Sequence, residues 1–146
     1  MTPKTIISQA ARINKLKRNI DGCKLLKSTD TIETLIDKLL TPEGLAFARQ
    51  TNFPSIDIFR AHKKECETKG IFIDKNMGAN NCPFIFLIGK SNSKLVFDNQ
   101  SQPYFVYLMH GAKADITATN GAVVSLFNIS GEASISQNNY GKVIAM

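Results

Sequence analysis

Four glycines set the terms for the C-terminal half of this chain. Gly111, Gly121, Gly131 and Gly141 stand ten residues apart in HGAKADITATNGAVVSLFNISGEASISQNNYGKVIAM, with small and β-branched residues filling the gaps. Six residues of strand and four of turn make such a unit, and glycine supplies the positive φ that tight turns need. Phosphate-binding loops gather their glycines within a few residues and lead into a helix. A ten-residue spacing through strands does neither, so these glycines read as turn residues and not as ligand contacts. Two architectures share the unit length: an antiparallel meander, or a flattened solenoid using two units per rung. A solenoid has open ends and needs at least three repeats, and only about three and a half are present. A compact roll with solenoid-like side chains is therefore the favoured expectation.

The strand period extends upstream to Gly70. Apolar alternation and turn residues predict strands at 71–74, 84–88, 94–98, 104–109, 113–119, 122–128, 132–137 and 142–145. Ala112, Ala114, Ile116, Ala118, Ala122, Val124 and Leu126 alternate so as to bury one narrow face. Phe84, Phe86, Phe97, Tyr104, Phe105 and Tyr107 raise the question of base stacking on an RNA-binding sheet. Their neighbours are Ile85, Leu87, Ile88, Val106 and Leu108, and strands apolar on both faces belong in a core.

Before residue 70 the apolar spacing is helical. Ile6, Ala10, Ile13, Leu16 and Ile20 form one face of a first helix that Asp21-Gly22 ends. Asp30 with Glu33 three residues on predicts a capped second helix through Ile32, Leu35, Ile36, Leu39 and Leu40. Thr41-Pro42-Glu43 starts a third. After Asn52-Phe53-Pro54, a fourth runs through Ile58, Phe59, Ala61 and Cys66 until Gly70 closes it. The expected class is α+β: N-terminal short helices, then a β-rich roll or short solenoid-like sheet of about eight strands. Residues 1–69 form the helical segment and 70–146 the β-rich domain.

Charge separates the halves further. The net charge is +6, and residues 1–30 alone balance to +5, with seven basic residues against Asp21 and Asp30. Arg12, Lys15, Lys17 and Arg18 make a basic face on the first helix. Such a face serves as a solvated surface, a patch for phosphate, or a docking helix for an acidic protein. No apolar run approaches the roughly 20 residues that cross a bilayer, and MTPKTIISQAARINKLKR lacks the pattern of a signal peptide. The expected location is a cytoplasm, or an assembly carried out of one, with no membrane contact. The three cysteines, Cys23, Cys66 and Cys82, lie outside metal-ligand spacing of one another and read as free thiols.

No motif for nucleotide, metal or nucleophilic chemistry stands in the sequence. His62, within AHKKECETK, reads as solvated, and His110 ends an apolar strand with Asp115 its nearest acidic neighbour. No catalytic residue, metal ligand, cofactor or small-molecule substrate is expected. One DNA-binding pattern does stand out. LTPEGLAFARQTNFPSIDIFRAHKK pairs two short helices across a short turn, the second bearing Arg60, Lys63 and Lys64. Asp57 near the head of that second helix would repel phosphate.

TPEGLAFARQTNFPSIDIFRAHK, then GIFID, FIFLIG and LMHGAKADITATNGAVV, resemble in order a group of small uncharacterised proteins of bacteriophages and prophages of gut-type bacteria. The resemblance covers about residues 41–125, and the last 20 residues depart from it. It implies a phage setting, as a virion component or a host-interacting protein, and it carries over no functional residue. The expectation is a non-enzymatic structural or interaction protein that docks through its helical segment onto protein partners or copies of itself. The alternative is a small DNA-binding or regulatory protein using residues 41–64 and the basic first helix, with nucleic-acid contact otherwise weak.

Overall fold

The computed structural model describes residues 2–17 and 30–146. Contacts divide the chain into two compact units, residues 1–69 and 70–146. Among the described residues, no helix is long and apolar enough to cross a membrane.

The first unit holds α1 (Pro3–Lys17), α2 (Ile32–Leu39), α3 (Pro42–Thr51), α4 (Ile56–Ala61) and α5 (Lys63–Glu67). The end of the first helix expected at Asp21-Gly22 lies outside the described residues. The cap of α2 differs from expectation. Thr31, not Asp30, is the N-cap, and it exchanges hydrogen bonds with Thr34, at 2.8 Å from the Thr31 N–H and 3.3 Å from the Thr34 N–H. Asp30 instead grips the Lys38 ammonium with both oxygens, at 2.7 and 2.8 Å. Thr41 caps α3 through the Gly44 N–H at 3.1 Å, with Pro42 just inside the helix. Ile6, Ala10, Phe47, Phe53 and Ile58 make the unit's core, where the Phe47 and Phe53 rings meet edge to face at 5.8 Å.

The expected fourth helix is two helices. The break falls at His62, whose φ of −124° and ψ of 37° leave the helical region. Apolar spacing is continuous across it, so nothing in the residue pattern marks the kink.

The second unit is a solenoid and not a roll. Its strands are β1 (Ile71–Ile73), β2 (Gly78–Asn80), β3 (Phe84–Ile88), β4 (Asn92–Phe97), β5 (Tyr104–Met109), β6 (Lys113–Ala118), β7 (Val123–Asn128), β8 (Glu132–Gln137) and β9 (Lys142–Ala145). Odd strands form one sheet in the order β1-β3-β5-β7-β9, even strands a second in the order β2-β4-β6-β8, and every pairing is parallel. Each rung therefore spends two of the ten-residue units. Tyr104 sits beside Val124, twenty residues on. The extra strand, β2, carries no alternation and owes its extended form to pairing with β4.

Between the sheets runs a narrow lumen. Ile85, Leu87, Leu95, Phe97, Tyr104, Val106 and Leu108 fill its early rungs. Ala112, Ala114, Ile116, Ala118, Ala122, Val124 and Leu126 fill the later ones, and all are buried. The aromatic strands are core, as their apolar neighbours imply. Phe86, Tyr107 and Phe127 stack rung upon rung on the outer side of the odd sheet, with ring centroids 5.3 and 4.6 Å apart. Burial raises the Tyr107 phenol pKa above its usual range. The outer side of the even sheet is polar and mixed in charge: Lys94 neighbours Asp115, and Lys113 neighbours Glu132 at 3.9 Å.

Tyr104 breaks the apolar rule inside the lumen. Its ring is fully buried, 4.8 Å from that of Phe97, and its hydroxyl has no hydrogen-bond partner among the described residues. An orphaned buried hydroxyl costs about 1–3 kcal/mol. Tyr104→Phe removes it while keeping the ring, so the variant is expected to unfold at higher denaturant concentration than the parent. A lower midpoint in urea unfolding would show that the hydroxyl is satisfied.

Candidate functional site

The helical unit contains an apolar cavity of about 90 Å³. It opens among Ile6 and Ala10 of α1, Leu35 and Leu39 of α2, Phe47 of α3 and Ile58 of α4. Local signals place these walls. The Thr31 and Thr41 caps fix where α2 and α3 begin. Asn52, left-handed at φ 56°, ends α3, and Ser55 caps α4 through the Ile58 N–H at 3.4 Å.

The break at His62 places a polar side chain in the cavity wall, which Lys38 also lines. The imidazole is turned inward, with the side chain only 13% exposed, against the solvated position expected for it. Nδ1 lies 3.7 Å from the Glu65 carboxylate, while Nε2 is buried with no hydrogen-bond partner among the described residues. Cys66 joins the same wall. Burial, with Glu65 adding to it, pushes its thiol up to about 12, so it is protonated at neutral pH and is no nucleophile. It is free, as is the half-buried Cys82; Cys23 lies outside the described residues.

The arrangement is suited to binding. An engineered cavity of about 150 Å³ accepts benzene, so about 90 Å³ suits a branched aliphatic group better than an aromatic ring.

The sequence-derived contact residues are dispersed by comparison. Arg12 is exposed on α1. Lys15 and Lys17 lie in α1 with side chains outside the description, and Arg18 lies outside the described residues. Arg60, at the end of α4, and Lys63 and Lys64, in α5, are exposed around the His62 break. A reading helix across 54–64 does not form, because α4 spans six residues, or about 9 Å of axis. Comparison with protein-family models, curated proteins and solved structures finds no match.

The four spaced glycines all lie between successive strands, but they serve two needs. Gly111 and Gly121 have positive φ, 82° and 76°. Gly131 and Gly141 do not; a Cβ on Gly131 would strike the Ala112 carbonyl, and one on Gly141 the Ala118 carbonyl. His110 belongs to such a corner too, with φ 55° and its N–H donating to Ser130 Oγ at 2.8 Å. Asparagine ladders at the corners went unread in the sequence. Asn81 and Asp98 exchange two hydrogen bonds, at 2.7 and 2.9 Å, and Asn139 donates to Asn120 one rung below. Asparagine's tolerance of left-handed backbone was the available signal. Among the described residues, no group of three His, Cys, Asp or Glu could hold a metal.

Proposed function

We propose that this is a non-enzymatic structural or interaction protein of a phage, with the solenoid as rigid body and the helical unit as docking element. The observation that carries the reading is the apolar cavity walled by α1, α2, α3 and α4. A protein surface that presents one branched aliphatic side chain near acidic residues complements both the cavity and the +5 balance of residues 1–30. The phage setting rests on the sequence resemblance over residues 41–125.

The alternative, DNA binding, is favoured by the exposure of Arg60, Lys63 and Lys64 on consecutive helices. Neutral pairing on the even sheet and the shortness of α4 weigh against it.

The test uses the tagged full chain as bait in a phage-infected lysate, with cross-links mapped by mass spectrometry. Captured phage proteins should cross-link to α1, α2 and α4. Leu35→Glu places a charge in the half-buried cavity wall, so affinity should drop at least ~10-fold, or about 1.4 kcal/mol, with the helical signal in circular dichroism retained. Capture unaffected by the variant would overturn the docking reading. A tight, sequence-selective DNA complex at physiological salt would promote the alternative, since non-specific binding fades steeply with salt.

A further inference from the structure

Within the described residues, the rung of β8 and β9 leaves its far edges unpaired by another strand: β8 pairs only with β6, and β9 only with β7. Ile135 points into the lumen yet is 45% exposed, whereas Ile116, its neighbour one rung earlier, is 1% exposed. Proteins usually guard such edges with short strands, proline, inward charge or a bulge. The first rung is guarded in that way, because β1 and β2 run for three residues each. β8, EASISQ, runs for six, with no proline or lysine and no charge at its lumen positions Ala133, Ile135 and Gln137.

Backbone direction narrows the partner. The N–H groups of Glu132 and Asn138 donate to the Ala112 and Ala118 carbonyls, so even-numbered peptides of this strand face β6. Those of Ala133, Ile135 and Gln137 face away from the sheet. On β9 the outward Val143 N–H is already held by Gln137 Oε1 at 2.6 Å. The free edge belongs mainly to β8.

We propose that two copies of this chain join end to end through β8, antiparallel, with Ile135 on the two-fold axis. In that register Ile135 meets itself, and Ala133 meets Gln137 of the second copy. Every outward-facing residue of the strand then enters a hydrogen-bonded pair. Ser134 falls opposite Ser136 of the second copy, so the flanking residues match as well. The rung selects a second copy over a lone peptide. Beyond the β8 edge it presents a lumen mouth with an exposed Ile135, and another solenoid end brings the same mouth and the same isoleucine, which a lone peptide lacks. Like ends do not repel, since the side-chain charges from residue 132 onward are Glu132 and Lys142, which cancel. The joint closes the lumen over Ile135. It is independent of the cavity in the helical unit.

The experiment is sedimentation equilibrium of the full chain over a concentration series. The parent should reach twice the chain mass and no more. Ile135→Pro removes an N–H that β6 does not use, and Ile135→Lys puts charge into the lumen mouth. Both should sediment as monomers with parental circular dichroism. Ser134→Cys combined with Ser136→Cys should give a covalent dimer on oxidation. A parent that stays monomeric throughout, one that forms open-ended polymers, or a dimer indifferent to both Ile135 variants overturns the proposal. A monomeric parent that still captures partners through Leu35 would sink this inference and leave the docking reading standing.

Discussion

Phe97→Ala is expected to destabilise the solenoid by about 3–5 kcal/mol, the range for truncating a fully buried aromatic side chain. Phe97 is fully buried in the lumen from β4, its ring 4.8 Å from that of Tyr104 and tilted by 47°. Its partner one rung later is Ala118, too small to close the gap that truncation opens. Repeat structures sum the interfaces between neighbouring units, so a void in one rung weakens the stacking on both sides of it. With domain stabilities of about 5–15 kcal/mol, the loss takes a large share of the total. Urea unfolding followed by circular dichroism should show the midpoint shifted down with little change in slope. A midpoint within error of the parent's would mean that the lumen repacks around the missing ring.

The second large effect separates glycines that look alike in the sequence. At Gly121, alanine must occupy φ 76°, which costs on the order of 1–2 kcal/mol. The new Cβ there also meets Gln100 Oε1 at 2.5 Å, but that is the tip of an exposed side chain and can swing away. At Gly131 the same Cβ would press on the Ala112 carbonyl and lie 2.8 Å from Leu108 Cβ. Those atoms belong to the rung below, where the Glu132 N–H donates to that same carbonyl at 2.9 Å. Backbone held in a ladder cannot swing aside, and relief requires the β6–β8 and β5–β7 pairings to part. Gly131→Ala should therefore lower the melting temperature more than Gly121→Ala. The reverse order would return positive φ to first place as the reason for glycine at this spacing.

How far the sequence led can be followed through these residues. Alternation at Ala112, Ala114, Ile116 and Ala118 announced one buried face, because strand period is a local property that burial enforces. The choice between roll and solenoid was not local. Parallel partners lie twenty residues apart, and small alternating residues serve a meander equally well until hydrogen bonds are seen. β2 was invisible because Gly78 and Asn80 carry turn chemistry and only the neighbouring strand extends them. In the helical unit, the cap at Thr41 was announced by its side-chain oxygen beside the helix start, whereas Asp30 stood in for Thr31 as the expected cap of α2 because its ion pair with Lys38 eight residues away is not a local signal. The break at His62, which brings the imidazole into the cavity wall, left no mark on the apolar spacing. The asparagine ladders needed neighbours a rung away to become legible.

The aromatic stack on the odd sheet has a practical side. The chain has no tryptophan and three tyrosines, so its near-ultraviolet emission is tyrosine emission alone. Tyr104 and Tyr107 are buried in the solenoid, and Tyr140 stands 87% exposed at its last corner. The helical unit contributes no fluorophore of this kind. Nature has thus labelled one half of the molecule and left the other dark. A quencher dissolved in the buffer will reach Tyr140 long before the lumen ring or the stacked one.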